Sequence, residues 1–344
     1  MITRSNMNQP VRPRIEWIDI LKGIGIVFVV FGHLFPNLCL EKHIYSFHMF
    51  LFFFLSGYTY KQKEHMLAEL KTNALRLLVP FVLWDVLSTL IDIAVGADIL
   101  QSIKRMILWR ATICWNAPIW FLLTLFFVKV LYVCFDYLRL PPLAIYSVLV
   151  VMLFLGWLLE DSSYFLKLGT VPIAFFFFGL GACISKEKHL TPASGKRRAV
   201  ILLFALTVNI LFGVILNDRI SVIRCFYGQY VYCVIAGISG IVVYVVLSQA
   251  LAEKRSDLLP WNNIKRLLMH LGKHSMVILC VHYYLFRILA SLSNRFWEID
   301  LWHTRGTLKA GVITVFTIVI ILQLEKIVVR LLNPKIARCF GFVA

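Results

Sequence analysis

The chain is poor in charge. Of its 344 residues only 15% are Asp, Glu, Lys or Arg, while 60% are hydrophobic; an ordinary soluble domain carries about 25% charged residues. That shortage excludes a soluble globular fold. Acidic residues are the scarcer sign, 18 against 35 Lys and Arg. The resulting charge of +17 does not point to nucleic acid, because no stretch combines dense Lys/Arg with an aromatic platform. The eight cysteines form no CxxC pair, and no HExxH motif occurs. No metal is therefore expected, although His33, His43, His48 and His282 could in principle meet. Most cysteines lie in apolar runs and read as small buried hydrophobes, with one disulfide among Cys39, Cys114 and Cys225 left open. Internal repeats, low-complexity tracts and paired Gly/Pro-broken apolar segments are missing as well, which argues against an inverted-repeat transporter. The polar stretch up to Arg14 leads to no cleavable leader being expected.

What is present is hydrophobicity in long runs. The mean hydropathy is +0.80, and a membrane-spanning helix needs about 20 mostly apolar residues. Ten runs qualify: 15–35, 43–60, 78–95, 118–135, 143–159, 168–185, 199–216, 227–250, 274–292 and 308–332. The pattern predicts an all-α integral membrane protein of about ten transmembrane helices. It forms one domain over 1–344, with a segment 1–14 before the first span and a tail 333–344 after the last. With the N-terminus cytoplasmic, the inside segments hold 20 Lys/Arg, the outside segments nine, and the spans the other six of the 35. The positive-inside rule then puts both termini in the cytoplasm. Trp115, Trp120, Trp297 and Trp302 fall where an outer aromatic belt would lie, and Phe175–Phe178 read as a lipid-facing or packing surface.

The first run, RIEWIDILKGIGIVFVVFGHL, carries Arg14, Glu16, Asp19, Lys22 and His33. Eleven residues separate Lys22 from His33, almost three helical turns, so both share a face about 16 Å apart. Asp19 and Glu16 extend the same stripe toward the cytoplasmic end. Snorkelling to the headgroups accounts for Glu16 and serves Lys22 equally well, and His33 taken alone fits a hydrogen bond to a neighbouring helix, but a stripe this regular points to a polar path through the membrane. The second span places His48 near the depth of His33, and two imidazoles there suggest proton chemistry or a polar substrate. Ser56-Gly57, at its other end, suits close helix packing. Asp85 and Asp92 share a face of the third span. Arg287, Glu325, Lys129 and Lys326 read as structural ion pairs near helix ends.

These residues carry a resemblance. The pattern RIEWIDILKGIGIVFVVFGH followed by FHMFLFFFLSGY resembles the acyltransferase-3 family of membrane O-acyltransferases. Further matches are Arg76-Leu-Leu-Val-Pro80, Trp120-Phe-Leu and GKHSMVILCVH, Gly272–His282. The family often has Arg where this chain has Lys22, and Pro where it has Phe50. Lysine keeps the charge but loses the bidentate fork, and it looks like the sugar O-acetylase branch.

The resemblance implies acyl transfer from cytoplasmic acetyl-CoA, a co-substrate and not a resident cofactor, to a hydroxyl of an envelope glycan or lipid-linked sugar. Lys22, Arg14, Arg76 and Lys71 would hold the donor phosphates. His33 would be general base or transient acyl-imidazole nucleophile, with His48 and Asp19 completing the catalytic set. His282, Trp120, Asp85 and Ser56 are supporting candidates. Expected partners are acetyl-CoA, the acceptor and membrane lipids, with no nucleic acid; a homo-oligomer is compatible. The expected location is a cell inner membrane, multi-pass. The rival reading is a multi-span transporter or flippase of a polar or glycolipid substrate, which would ignore acyl-CoA.

Overall fold

A computed structural model describes residues 15–108, 116–162, 165–187, 195–253, 259–297 and 306–343. Among these the chain is helical, with no named strand. The helices are α1 (Glu16–Gly32), α2 (Leu38–Tyr58), α3 (Met66–Asn73), α4 (Val79–Ala94), α5 (Ile99–Leu108), α6 (Trp120–Tyr137) and α7 (Pro142–Leu158). There follow α8 (Val171–Glu187), α9 (Gly195–Ile210), α10 (Tyr230–Glu253), α11 (Leu259–Lys273), α12 (Ser275–Trp297), α13 (Thr307–Leu331) and α14 (Pro334–Cys339). Two π-helical turns, Ala74–Leu78 and Leu211–Ile215, continue α3 and α9.

Among the described residues, eight helical stretches are long and apolar enough to cross a membrane, so the chain is an all-α integral membrane protein. Eight predicted spans fall on them. The first and fifth fall on α1 and α7, each of 17 residues. Such a helix is about 26 Å long, a little under the ~30 Å hydrocarbon core. One expected loop is different in kind. The polar gap 251–273 contains α11, which packs closely on α1.

α1 sits inside the bundle, against α2, α10, α11, α12 and α13. Ile20, Leu21, Ile26 and Val30 are almost fully buried. This answers why a membrane helix accepts Asp19 and Lys22: its neighbours are protein, and lipid is kept away.

Lipid offers no hydrophobic drive for helix association, so cohesion depends on close backbone approach and interdigitation. Two reciprocal glycine crossings supply it. A Cβ on Gly57 would lie 1.8 Å from the Phe178 carbonyl oxygen, and one on Gly181 would lie 2.1 Å from that of Phe54. These lock α2 to α8. Gly23 meets the Leu268 carbonyl and Gly272 meets that of Asp19, at 2.1 and 2.0 Å, locking α1 to α11. Beside the first crossing, Phe50 stacks on Phe177 with centroids 4.2 Å apart. Phe175, Phe177 and Phe178 are buried, so this run is packing surface. Trp120 is not a belt residue: it is 5% exposed and packs on Phe53 and Phe121. Side chains at 115, 297 and 302 lie outside the described residues.

Gly57→Ala should force α2 from α8 and cost about 1–3 kcal/mol by overpacking. Gly311→Ala in α13, where nothing lies within 4 Å, should be neutral or stabilising by about 0.5–1 kcal/mol. Thermal unfolding of both variants in nanodiscs checks the pair.

Candidate active site

The polar stripe of α1 opens onto a cavity of ≈ 270 Å³. From α1 come Asp19, Lys22, Ile26 and Val29, spaced by three or four residues as one helical face requires. α2 contributes Met49, Phe52 and Ser56, and α6 contributes Phe121, Leu122 and Leu125. Gly272 and Lys273 close α11, and Ser275, Met276 and Leu279 begin α12. One end of the cavity is charged, with Lys22, Lys273 and Asp19. Lys129 on α6 lies within electrostatic range of both Lys22 and Arg76. The middle is apolar: Ile26, Val29, Met49, Phe52, Leu125 and Leu279.

One turn beyond Val29, His33 caps the C-terminal end of α1. The chain then turns within a few residues, through Phe35 at φ 50°. Asn37 caps α2 by accepting from the Leu40 amide at 2.9 Å, and its side-chain amide donates to Thr307 at 3.0 Å. This short, pinned turn brings the start of α2 beside His33. The Tyr45 hydroxyl lies 3.4 Å from His33 Nδ1, and the Tyr45 and His48 rings are 5.0 Å apart. His282 of α12 lies against His33 with centroids 5.4 Å apart, and Tyr283 stands edge-on at 5.6 Å.

Two imidazoles have a fixed tautomer. A carbonyl only accepts, so His48 Nδ1–H donates to Ile44 O at 2.7 Å, and His282 Nδ1–H donates to Ile278 O at 2.8 Å. Each is left with Nε2 as a lone-pair acceptor. His282 is wholly buried, and its Nε2 has no hydrogen-bond partner among the described residues. An orphaned acceptor of this kind suits a substrate proton.

Behind this end lies a buried ion pair. Glu41 is 0% exposed and meets Arg219 Nε at 2.6 Å. The Arg219 guanidinium carbon sits 4.5 Å from the Tyr45 ring centroid, which links Glu41, Arg219, Tyr45 and His33. His43 belongs to a different network: its ring nitrogens meet Asn209 Oδ1 at 2.7 Å and Tyr244 Oη at 2.8 Å.

The structure thus gathers Asp19, Lys22 and Ser56 at the cavity, and His33, His48 and His282 at its far end. Lys71 and Arg76 are exposed on α3 and its π-helical extension. Asp85 is buried on α4, near Tyr284, and does not line the cavity. Trp120 does not line it either, although the next two residues do. Asp92 is joined to Arg105 at 2.6 Å, and Glu325 to His274 at 2.7 Å. Arg14 lies outside the described residues, as does Cys114; Cys39 and Cys225 are free.

Sequence reasoning missed Glu41, Tyr45, Arg219, Tyr283 and Lys273 as site residues. Two signals were available. Glu41, Tyr45 and His48 follow i, i+4, i+7 spacing, which places them on one helical face, and Lys273 lies inside the GKHS motif. Arg219 comes from the segment between α9 and α10, where no local pattern marks it.

Arg219→Ala would leave a buried carboxylate without its cation. It should lower stability by about 3 kcal/mol, the low end for a broken buried pair because the Arg219 side chain is 37% exposed. Glu41→Gln/Arg219→Gln should recover much of that loss, and melting curves of the single and double variants check it.

Neither a search of curated proteins nor one of solved structures returns a match. The family model described as an acyltransferase domain matches residues 15–324, a range that takes in every residue of the cavity and of the histidine cluster. The chain therefore belongs to the acyltransferase-3 family, and is a multi-pass membrane acyltransferase.

Proposed function

We propose that the protein moves an acetyl group from acetyl-CoA to a hydroxyl of a cell-envelope glycan or lipid-linked sugar. The observation that carries this reading is the cavity between Lys22 and Lys273 at one end and the approach to His33 at the other. The donor has an anionic nucleotide and a long, thin arm ending in a thioester. Ammonium groups suit the phosphates by charge-assisted hydrogen bonds, and the apolar middle suits the arm. The helical distance from Lys22 to His33, about 16 Å, is of the order of that arm's length.

At the His33 end the hydroxyl must lose a proton as it attacks the thioester carbonyl. His33 serves either as general base for that proton or as an acyl-imidazole nucleophile. In the second case His282 Nε2, an acceptor with a fixed tautomer, suits the later deprotonation of the hydroxyl. On the positive-inside argument the Lys22 end faces the cytoplasm, where acyl-CoA is made; the inner membrane is what the family resemblance implies. The family assignment does not favour a transporter.

The test is acetyl-CoA binding and turnover by the protein in lipid nanodiscs. Lys22→Ala should weaken binding roughly tenfold, the size of one lost charge-assisted hydrogen bond. His33→Ala should retain most of the binding but lower transfer by about 100-fold or more. Absence of saturable binding at millimolar acetyl-CoA, in folded protein, would sink the donor assignment.

A further inference from the structure

A second cavity, also of ≈ 270 Å³, shares no residue with the one beside α1. It lies where α6 and α7 leave their connecting turn. Each of these helices packs on α8 but hardly on the other, so they diverge from the turn and leave a cleft with α8 as its back wall. The outer face of α7 is bare and apolar: Leu143, Val150, Val151 and Phe154 are all more than half exposed. In a bilayer such a face meets lipid, and the cleft between α7 and α6 borders the same lipid.

Polarity is graded along the cleft. Its deep end is formed by Tyr132, Leu149 and Phe175, all buried, with Phe135 and Val148 half-buried beside them. Its other end carries Gln62, Asp136, Arg139 and Lys186. Phe175 and Lys186 are eleven residues apart on α8, about 16 Å, close to half of the ~30 Å hydrocarbon core. The cleft is therefore about one leaflet deep. Its polar end lies where α6 and α8 finish, the side from which α1 starts, and on the positive-inside argument that side is cytoplasmic. The Lys186 ammonium donates to Asp136 Oδ1 at 3.0 Å, which occupies one of its three N–H groups, and its side chain is 54% exposed. Arg139 is exposed on the turn and holds φ 51°. That left-handed conformation is uncommon for a residue with a side chain, and such conformations cluster at active sites and ligand clamps. The three charges sum to +1.

We propose that this cleft binds an anionic phospholipid of the cytoplasmic leaflet. Its headgroup phosphate sits between Arg139 and Lys186, and one acyl chain runs along Phe135, Val148 and Phe175. Basic pockets between membrane helices on the cytoplasmic side take such headgroups. A single negative charge balances the +1 of the mouth, whereas the ammonium of a zwitterionic headgroup cancels that gain. A soluble phosphate gains nothing from the aromatic depth, and the chain of a lipid does. The bound chain fills the space that α6 and α7 leave open and braces α8, which is itself locked to α2 through Gly57 and Gly181. The site uses no acyl donor, so it stands or falls apart from the acyltransferase reading.

Photo-crosslinking tests this on the full-length protein in phosphatidylcholine nanodiscs. A trace of lipid with a diazirine in its acyl chain is included, either phosphatidylglycerol or the matched phosphatidylcholine, and adducts are mapped by peptide mass spectrometry. Phosphatidylglycerol should label the cleft faces of α6, α7 and α8 about fivefold more than phosphatidylcholine, the scale of one Lys or Arg against an anionic headgroup. Excess unlabelled phosphatidylglycerol should remove that labelling, and acetyl-CoA should not. Arg139→Gln should erase the headgroup preference. Val148→Trp, which fills the cleft, should lower labelling by either lipid and leave acetyl-CoA binding unchanged. Arg139 is exposed, so its variant folds whatever Val148→Trp does. Equal labelling by the two lipids would overturn the proposal, as would adducts confined to other surfaces or displacement by acetyl-CoA. A preference that survives in Arg139→Gln, or labelling that survives in folded Val148→Trp, overturns it as well.

Discussion

The Phe178 carbonyl lies where a side chain at position 57 would have to begin, and the Phe54 carbonyl lies likewise against position 181. Much else in the molecule depends on such contacts. In a bilayer, apolar surface is as content against lipid as against protein, so helices cohere only where they approach closely enough for dense dispersion contact. The two glycine crossings allow that approach for α1 and α2, which carry most of the polar machinery. Once α1 is enclosed by its neighbours, its carboxylate and ammonium groups face a cavity, and the cost of charge in hydrocarbon does not arise.

That enclosure separates two kinds of electrostatics along one helix. Toward its N-terminal end the cavity is lined by Lys22 and Lys273, compact cations that bind phosphate as point charges. Toward its C-terminal end the chemistry is imidazole, held in place by two further devices. Backbone carbonyls one turn earlier fix the tautomers of His48 and His282. A buried carboxylate holds the guanidinium that covers Tyr45. Breaking a buried pair of this kind costs far more than its presence adds to stability, so its retention beside His33 fits a positioning role. His43 shows the contrast: both its ring nitrogens are engaged by Asn209 and Tyr244, and it has nothing left to offer a substrate.

The π-helical turns fit the same picture. One carries Arg76, near the charged end; the other follows Asn209 and sets Gly213 against Ser46. An extra residue in a helical turn re-aims the side chains around it, and such bulges recur at functional sites.

The sequence by itself determined the class of the protein, the positions of the spans and the α1 stripe, because hydrophobic run length and a 3.6-residue repeat are local properties. The Lys22–His33 spacing was legible for that reason, and so was His48. The i, i+4, i+7 set of Glu41, Tyr45 and His48 was present in the sequence as well, but a face acquires meaning only when something packs on it. Only the tertiary structure decided that His282, and with it Tyr283, stands against His33 across about 250 residues of chain, that Arg219 reaches back to Glu41, and that Asp85 and Trp120 do not line the cavity. Those outcomes depend on which helices neighbour one another. In a membrane, that is set by shape complementarity such as a carbonyl seated on a glycine, which no run of hydropathy records.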